Sequence, residues 1–217
     1  MRKMLIWILC FVMPAYCMAA FPTTGILDNF NRGDEQPATG WTDMVNGVEV
    51  ISNQLSATTN AAYNWVSWDA TTYGPDCEAY ITFSTLTSGG VGLILRGTTE
   101  NDNTCDGYAV WGVVNGDESR VYEIKNGSFT QVGSGDAFTW ANGDKLGGEI
   151  IGSTIKVYID DGGAGWAVNT TETDATYGSA GYLQFRIYDD DPKSDDFGGG
   201  TIVSATDEGQ VIFVNIN

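Results

Sequence analysis

Histidine is absent from the 217 residues, and basic side chains are scarce, with ten Lys and Arg against 28 Asp and Glu. Without an imidazole there is no Ser-His-Asp or Cys-His catalysis, no imidazole general base and no histidine-ligated zinc or copper. A net charge of −18 repels a phosphate backbone, because nucleic-acid binding draws on clustered Lys and Arg that release counterions. Nucleic acid is thereby excluded as the main partner. Sustained 3.6-residue periodicity and clear helix caps are also missing, which argues against a helical or α/β fold. What is present is an apolar share of 42%, too large for a disordered chain and sufficient for one core. Carboxylate chemistry, hard-cation binding and plain recognition are the functions left open.

The one long apolar run lies at the start. Arg2 and Lys3 precede Leu5-Ile6-Trp7-Ile8-Leu9-Cys10-Phe11-Val12-Met13, then Pro14 and small residues before Phe21. This is the three-part pattern of a secretory signal peptide, assigned to residues 1–20 with cleavage after Ala19 or Ala20. Its apolar run is far short of the roughly 20 residues of a spanning helix, and no later segment replaces it, so no membrane span is expected after cleavage. The protein reads as secreted, extracellular or periplasmic. Cleavage removes two basic residues and no acid, so the net charge of −18 becomes −20. Cys10 and Cys17 leave with the signal, and Cys77 and Cys105 remain as a candidate structural disulfide for an oxidising compartment. Geometry raises an objection. Cysteines two strand spacings apart in a meander would be separated by roughly 9.6 Å, beyond disulfide reach, unless the Cys105 loop folds over the strand between them.

The mature chain alternates runs of Val, Ile, Tyr, Trp, Phe and Thr with Gly, Asn and Asp punctuation. Strands are predicted at 47–57, 62–68, 77–86, 91–98, 107–114, 120–125, 129–132, 145–151, 154–160, 181–188 and 211–214. Asn115-Gly116-Asp117, Asn126-Gly127-Ser128 and Asn142-Gly143-Asp144 supply turn chemistry between them. Eleven short strands fit an all-β, two-sheet antiparallel sandwich of jelly-roll type. The domain spans 21–200, followed by a tail or trailing strand at 201–217. Alternation sets Leu183, Phe185 and Ile187 on one face of their strand, opposite Tyr182, Gln184, Arg186 and Tyr188. It likewise sets Val91, Leu93 and Leu95 inward and Arg96 outward, so that Arg96 and Arg186 share an outer face.

Several motifs together resemble a known family. Asp28-Asn29-Phe30-Asn31-Arg32 followed by Gly40-Trp41-Thr42 is similar to the "DxFxR…GW" opening of concanavalin A-like, laminin G-like jelly-roll domains of secreted bacterial and phage proteins. Gly92 to Arg96, Gly107 to Val110, Ile150 to Asp160 and Ser179 to Leu183 follow in that family's order, and Asp195-Asp196-Phe197 resembles its closing strand. The resemblance covers about residues 26–200. It implies a sandwich whose first and last strands are neighbours and a role in carbohydrate or surface recognition. Some relatives are glycan-cleaving enzymes. The E-x-D-x-E carboxylate ladder of laminarinase-like hydrolases is absent here, and a lyase set containing Gln-x-His cannot be complete without histidine.

Sugars present apolar C–H faces ringed by hydroxyls, which calls for aromatic plates beside planar polar groups. The face Tyr182, Gln184, Arg186 and Tyr188, with Arg96, Tyr108 and Trp111, is the expected ligand site for a polysaccharide or other glycan. Single tryptophans more often belong to a core. Calcium, as a structural ion, needs six to eight oxygens. Asp102, Thr104, Asp106 and Gly107 match half of a calcium loop, but Val113 stands where the bidentate Glu should be. Asp28 with Asp195 or Asp196, brought together on neighbouring terminal strands by the resemblance, is the second candidate. A solvated acidic surface is the plain alternative for these acids. Three functions stay open: a lectin-like module, a polysaccharide-cleaving enzyme using two carboxylates, and a structural or adhesive surface protein.

Overall fold

The computed structural model describes residues 20–203 apart from 70, 87, 190 and 191. Residues 1–19 of the signal and the strand expected at 211–214 lie outside the described residues. Two antiparallel sheets make up the fold. The first holds β1 (Ile26–Asp28), β3 (Val48–Ile51), β4 (Gln54–Ala57), β6 (Cys77–Thr85), β11 (Lys145–Ile151), β12 (Thr154–Asp160), β13 (Trp166–Thr173) and β15 (Lys193–Thr201). The second runs in the order β10 (Ser128–Ala137), β9 (Glu118–Lys125), β8 (Gly107–Val113), β7 (Gly90–Gly97), β14 (Tyr182–Tyr188), β5 (Tyr63–Trp68) and β2 (Trp41–Val45). This is the jelly-roll sandwich the strand pattern predicts. β1 pairs with β15, so the first and last strands are neighbours.

The inward faces meet in one apolar core. Val91, Leu93 and Leu95 of β7 and Leu183, Phe185 and Ile187 of β14 are fully buried, opposite Leu146, Ile150, Ile155 and Val157 of the other sheet. Alternation thus identified the core face of both strands. The strand predicted over 47–57 is instead a hairpin, β3 and β4, turned by Ser52 and Asn53 at φ values of 54° and 62°. Positive φ at both central residues is the signature of a type I′ turn, whose twist matches that of paired strands.

The opening motif closes one end of the sandwich. Asp28 Oδ1 accepts from the Phe30 amide at 2.9 Å and from Arg32 at 2.6 Å, while Oδ2 accepts the Trp41 indole N–H at 3.0 Å. The motif therefore folds a loop around one buried carboxylate. Phe30 and Trp41, which it positions, belong to the core.

The expected disulfide is not formed. Cys77 and Cys105 are both buried free thiols. Cys77 belongs to the core between the sheets, whereas Cys105 belongs to a small apolar cluster with Trp65, Ile94, Ala109 and Ile124 on the outer side of the second sheet. The second sheet itself lies between them. Burial pushes the Cys77 thiol up to about 12, which leaves it protonated and inert at neutral pH.

Candidate functional site

The outer face of the second sheet is built from residues in register. Arg120, Trp111, Gly92, Arg186 and Trp65 stand side by side on five neighbouring strands. The next row places Val113, Gly90, Tyr188 and Tyr63 together. Two glycines thus sit at the middle of a face otherwise made of large side chains. A Cβ on Gly92 would fall 2.2 Å from Trp111 Cε3, and one on Gly90 would fall 2.3 Å from Trp111 Nε1. The absence of both side chains lets the indole lie down across β7. A cavity of about 500 Å³ opens over this floor, within the size range of small-ligand sites.

The hairpin of β9 and β10 supplies a wall. Phe129 of β10 is four strands away from β14, about 19 Å on a flat sheet. Its ring centroid nevertheless lies 4.2 Å from Arg186 Cζ and 5.8 Å from the Trp65 ring. The hairpin therefore curls over the face and makes it concave.

Arg186 is the centre of this cavity. Its Cζ stands 3.8 Å from the centroid of Tyr63, 5.2 Å from Trp65 and 5.7 Å from Trp111, in addition to Phe129. Aromatic faces attract a cation through their quadrupole, and that attraction offsets part of the cost of taking the guanidinium out of water. Burial pushes its pKa down to about 10, opposed by the neighbouring Tyr63 hydroxyl, so the group remains charged at neutral pH. Among the described residues no carboxylate lies within ion-pair distance of Arg186, and its Nε is buried without an acceptor. Arg120, across the cavity, donates to Glu118 and, at 3.1 Å, to the Tyr122 hydroxyl. Those two hydrogen bonds, the Glu118 one first, raise its pKa above the ordinary value. The rim adds Asn115 and Tyr188, and among the described residues no Asp or Glu lines the cavity.

Of the seven residues expected to bind ligand, Trp111, Arg186 and Tyr188 line the cavity. Gln184 is on the same face but fully buried, where it accepts the Trp65 indole N–H at 2.9 Å and donates to the Thr99 carbonyl at 2.5 Å. Tyr182 stands opposite Gly97 beyond the cavity. Tyr108 is a core residue whose hydroxyl donates to Asp174 at 2.6 Å. Arg96 is also not on the outer face. Its φ of 57° breaks the alternation of β7, and its guanidinium donates to the carbonyls of Pro75, Tyr177 and Gly152 at 2.6, 2.6 and 3.0 Å. It is 2% exposed and ties three loops together at one end of the sandwich.

Tyr63, Arg120, Tyr122, Asn115 and Phe129 were missed. The alternation of Arg120, Tyr122 and Ile124 within β9 carried a signal for two of them.

The acids expected to hold calcium do not converge. Asp102 Oδ1 accepts its own loop's Thr104 amide, and Asp106 Oδ1 accepts the Asn126 amide at 2.6 Å. Asp28 does lie close to Asp195, whose pKa is raised first by burial and further by the charges of Asp196 and Asp28. Both oxygens of Asp28 are already taken by Arg32, Phe30 and Trp41. Among the described residues, no group of three or more Asp, Glu or Cys side chains is placed to hold a metal ion. These residues do not fit a calcium centre as arranged.

Comparison with known proteins bears on the fold. No family model matches the sequence, and no curated protein matches it. Solved structures do match the fold. The carbohydrate-binding module CBM66 from Bacillus subtilis superimposes with a TM-score of 0.58 at 15% identity, over 73% of this chain and 92% of that one. The carbohydrate recognition domain of Emp46p, in its potassium-bound form, gives 0.56 at 13% identity, over 82% of this chain and 97% of its own. The exoplasmic domain of VIP36, with calcium and Man3GlcNAc bound, gives 0.53 at 14% identity, over 82% and 94%. The chain has the concanavalin A-like fold of carbohydrate-binding modules and legume-lectin-like domains.

Proposed function

We propose that the protein is an exported, lectin-like module that binds a glycan in the concave face of its second sheet. One observation carries this reading: an open cavity of about 500 Å³ walled by aromatic rings and two arginines, with no carboxylate in its lining among the described residues. Aromatic rings offer sugar C–H faces an apolar surface, and the arginine, tyrosine and asparagine groups supply directional hydrogen bonds. Cleavage of a glycosidic bond asks for two carboxylates flanking it. This lining holds neither, so the arrangement supports binding rather than hydrolysis there. The fold neighbours, described as carbohydrate-binding proteins, support the same reading. The signal-like N-terminus supports export, and among the described residues no helix is long and apolar enough to cross a membrane.

Tyr63 offers the cleanest test because it is 45% exposed, so its removal costs the core little. A glycan array followed by titration calorimetry should find a sugar ligand. Tyr63→Ala should then weaken that ligand about tenfold with the melting temperature nearly unchanged. A folded wild-type protein that binds no glycan on the array would overturn the reading.

A further inference from the structure

Four arginines lie among the described residues, and three of them have a carboxylate partner: Arg32 with Asp28, Arg96 with Asp76 and Arg120 with Glu118. Among the described residues Arg186 has none, in a chain rich in acids. A half-buried guanidinium without a partner is costly, and cation–π contact offsets that cost only in part. The rings of Tyr63 and Phe129 crowd its Cζ at 3.8 and 4.2 Å. Apolar rings accept weakly from its N–H donors, which leaves their hydrogen-bonding capacity for a ligand oxygen. Guanidinium edges are matched in geometry and charge by planar or tetrahedral oxyanions. Arg120, whose buried Nε also lacks an acceptor, lines the same cavity.

We infer that the glycan carries an anionic substituent, a uronic-acid carboxylate or a sulfate ester, which pairs with the edge of Arg186. This inference rests on the glycan-binding reading and specifies its ligand class. The rest of the molecule argues against a dense polyanion. A net charge of −18 opposes the approach of any long anionic chain, so short-range pairing inside the cavity must carry the recognition. Sparse anionic groups on an otherwise neutral chain satisfy both conditions.

Two matched pairs of probes test it by calorimetry on the exported chain. One is a glucuronoxylan oligosaccharide bearing a single uronic acid with its carboxyl-reduced counterpart, and the other is a κ-carrageenan disaccharide unit bearing a single sulfate with its desulfated counterpart. The acidic member of one pair should bind at least about tenfold more tightly than its neutral counterpart. The pair that responds tells carboxylate from sulfate. Arg186→Gln should erase that difference, while Arg186→Lys, which keeps the charge and loses the fork, should retain part of it. Circular dichroism and the melting temperature establish that the variants are folded. Equal affinity for acidic and neutral members would overturn the anionic inference and leave glycan binding standing. Binding to no member of either pair by the folded protein would overturn the anionic inference, and array binding to other sugars would show whether the glycan reading survives it.

Discussion

The two outer faces of the sandwich are built alike and finished differently. Each carries aromatic side chains around a glycine that leaves room for a ring. On the second sheet Gly92 accommodates Trp111, and the space above stays open. On the first sheet Gly147 stands between Tyr80 and Tyr158 in register, and a Cβ there would fall 2.4 Å from Phe21 Cζ. Phe21 stacks on Tyr158 with ring centroids 4.0 Å apart and meets Trp166 edge-on at 4.9 Å. The chain's own segment fills that aromatic cleft, held by Thr23 and Thr24, whose amides both donate to Glu78 Oε1 at 2.6 Å. An aromatic cleft is therefore not in itself a binding site. What distinguishes the open face is an unpartnered cation within it.

Removal of Phe21 should break the comparison most strongly. The ring is 8% exposed, and Phe21→Ala is expected to destabilise the fold by about 3 kcal/mol, read by urea unfolding. Glycan affinity on the opposite face should stay within twofold. A loss of binding without a loss of stability would move the site to the first sheet.

A smaller effect is expected at Asp195, near the plugged face, where burial, then the charges of Glu78 and Asp196, raise the pKa of Tyr80. The folded-state pKa of Asp195 is raised by burial and by neighbouring acids. A raised carboxylate binds a proton more readily in the folded than in the unfolded state. Its ionisation therefore costs stability as pH rises through the unfolded and then the folded value, and the full cost is present at neutral pH. Asp195→Asn, which keeps an acceptor for the Asp196 amide, should raise the melting temperature by about 1–3 °C at pH 7. The gain should vanish toward pH 3. A variant less stable at pH 7 would refute this account.

The thiols should show no effect at all. Cys77 lies inside the core and Cys105 beneath the open face, so a reductant should leave the melting temperature unchanged. Alkylation followed by mass spectrometry should modify both only after unfolding. A shift on reduction would mean that they are bridged.

Much of the fold was legible because its signals are local. The alternation in β14, and in β7 as far as Leu95, separated core from outer side chains, and the "DxFxR…GW" opening marked the first strand and its loop. β13, Trp166-Ala-Val-Asn-Thr-Thr-Glu-Thr, was not legible, because an edge strand rich in Thr and Asn shows little apolar alternation. The β3–β4 turn escaped because Ser52 and Asn53 take left-handed φ without a glycine. At Arg96 a single left-handed residue sent the side chain to the wrong face of the expectation. The candidate site was half legible for a different reason. Arg186 and Tyr188 follow from alternation within a strand, whereas Phe129 depends on register across several strands and on curl of the sheet. The cysteine pairing failed similarly, since sequence separation does not say which side of a sheet a loop will cover.

The pairing of β1 with β15 also sets where the domain joins whatever surrounds it. Ile26 faces Gly198 across one ladder, so entry and exit lie together on the first sheet. The cavity opens on the far side of the second sheet, with the sandwich between, two layers about 10 Å apart. Among the described residues, both chain ends therefore leave the sandwich on the side away from the cavity mouth.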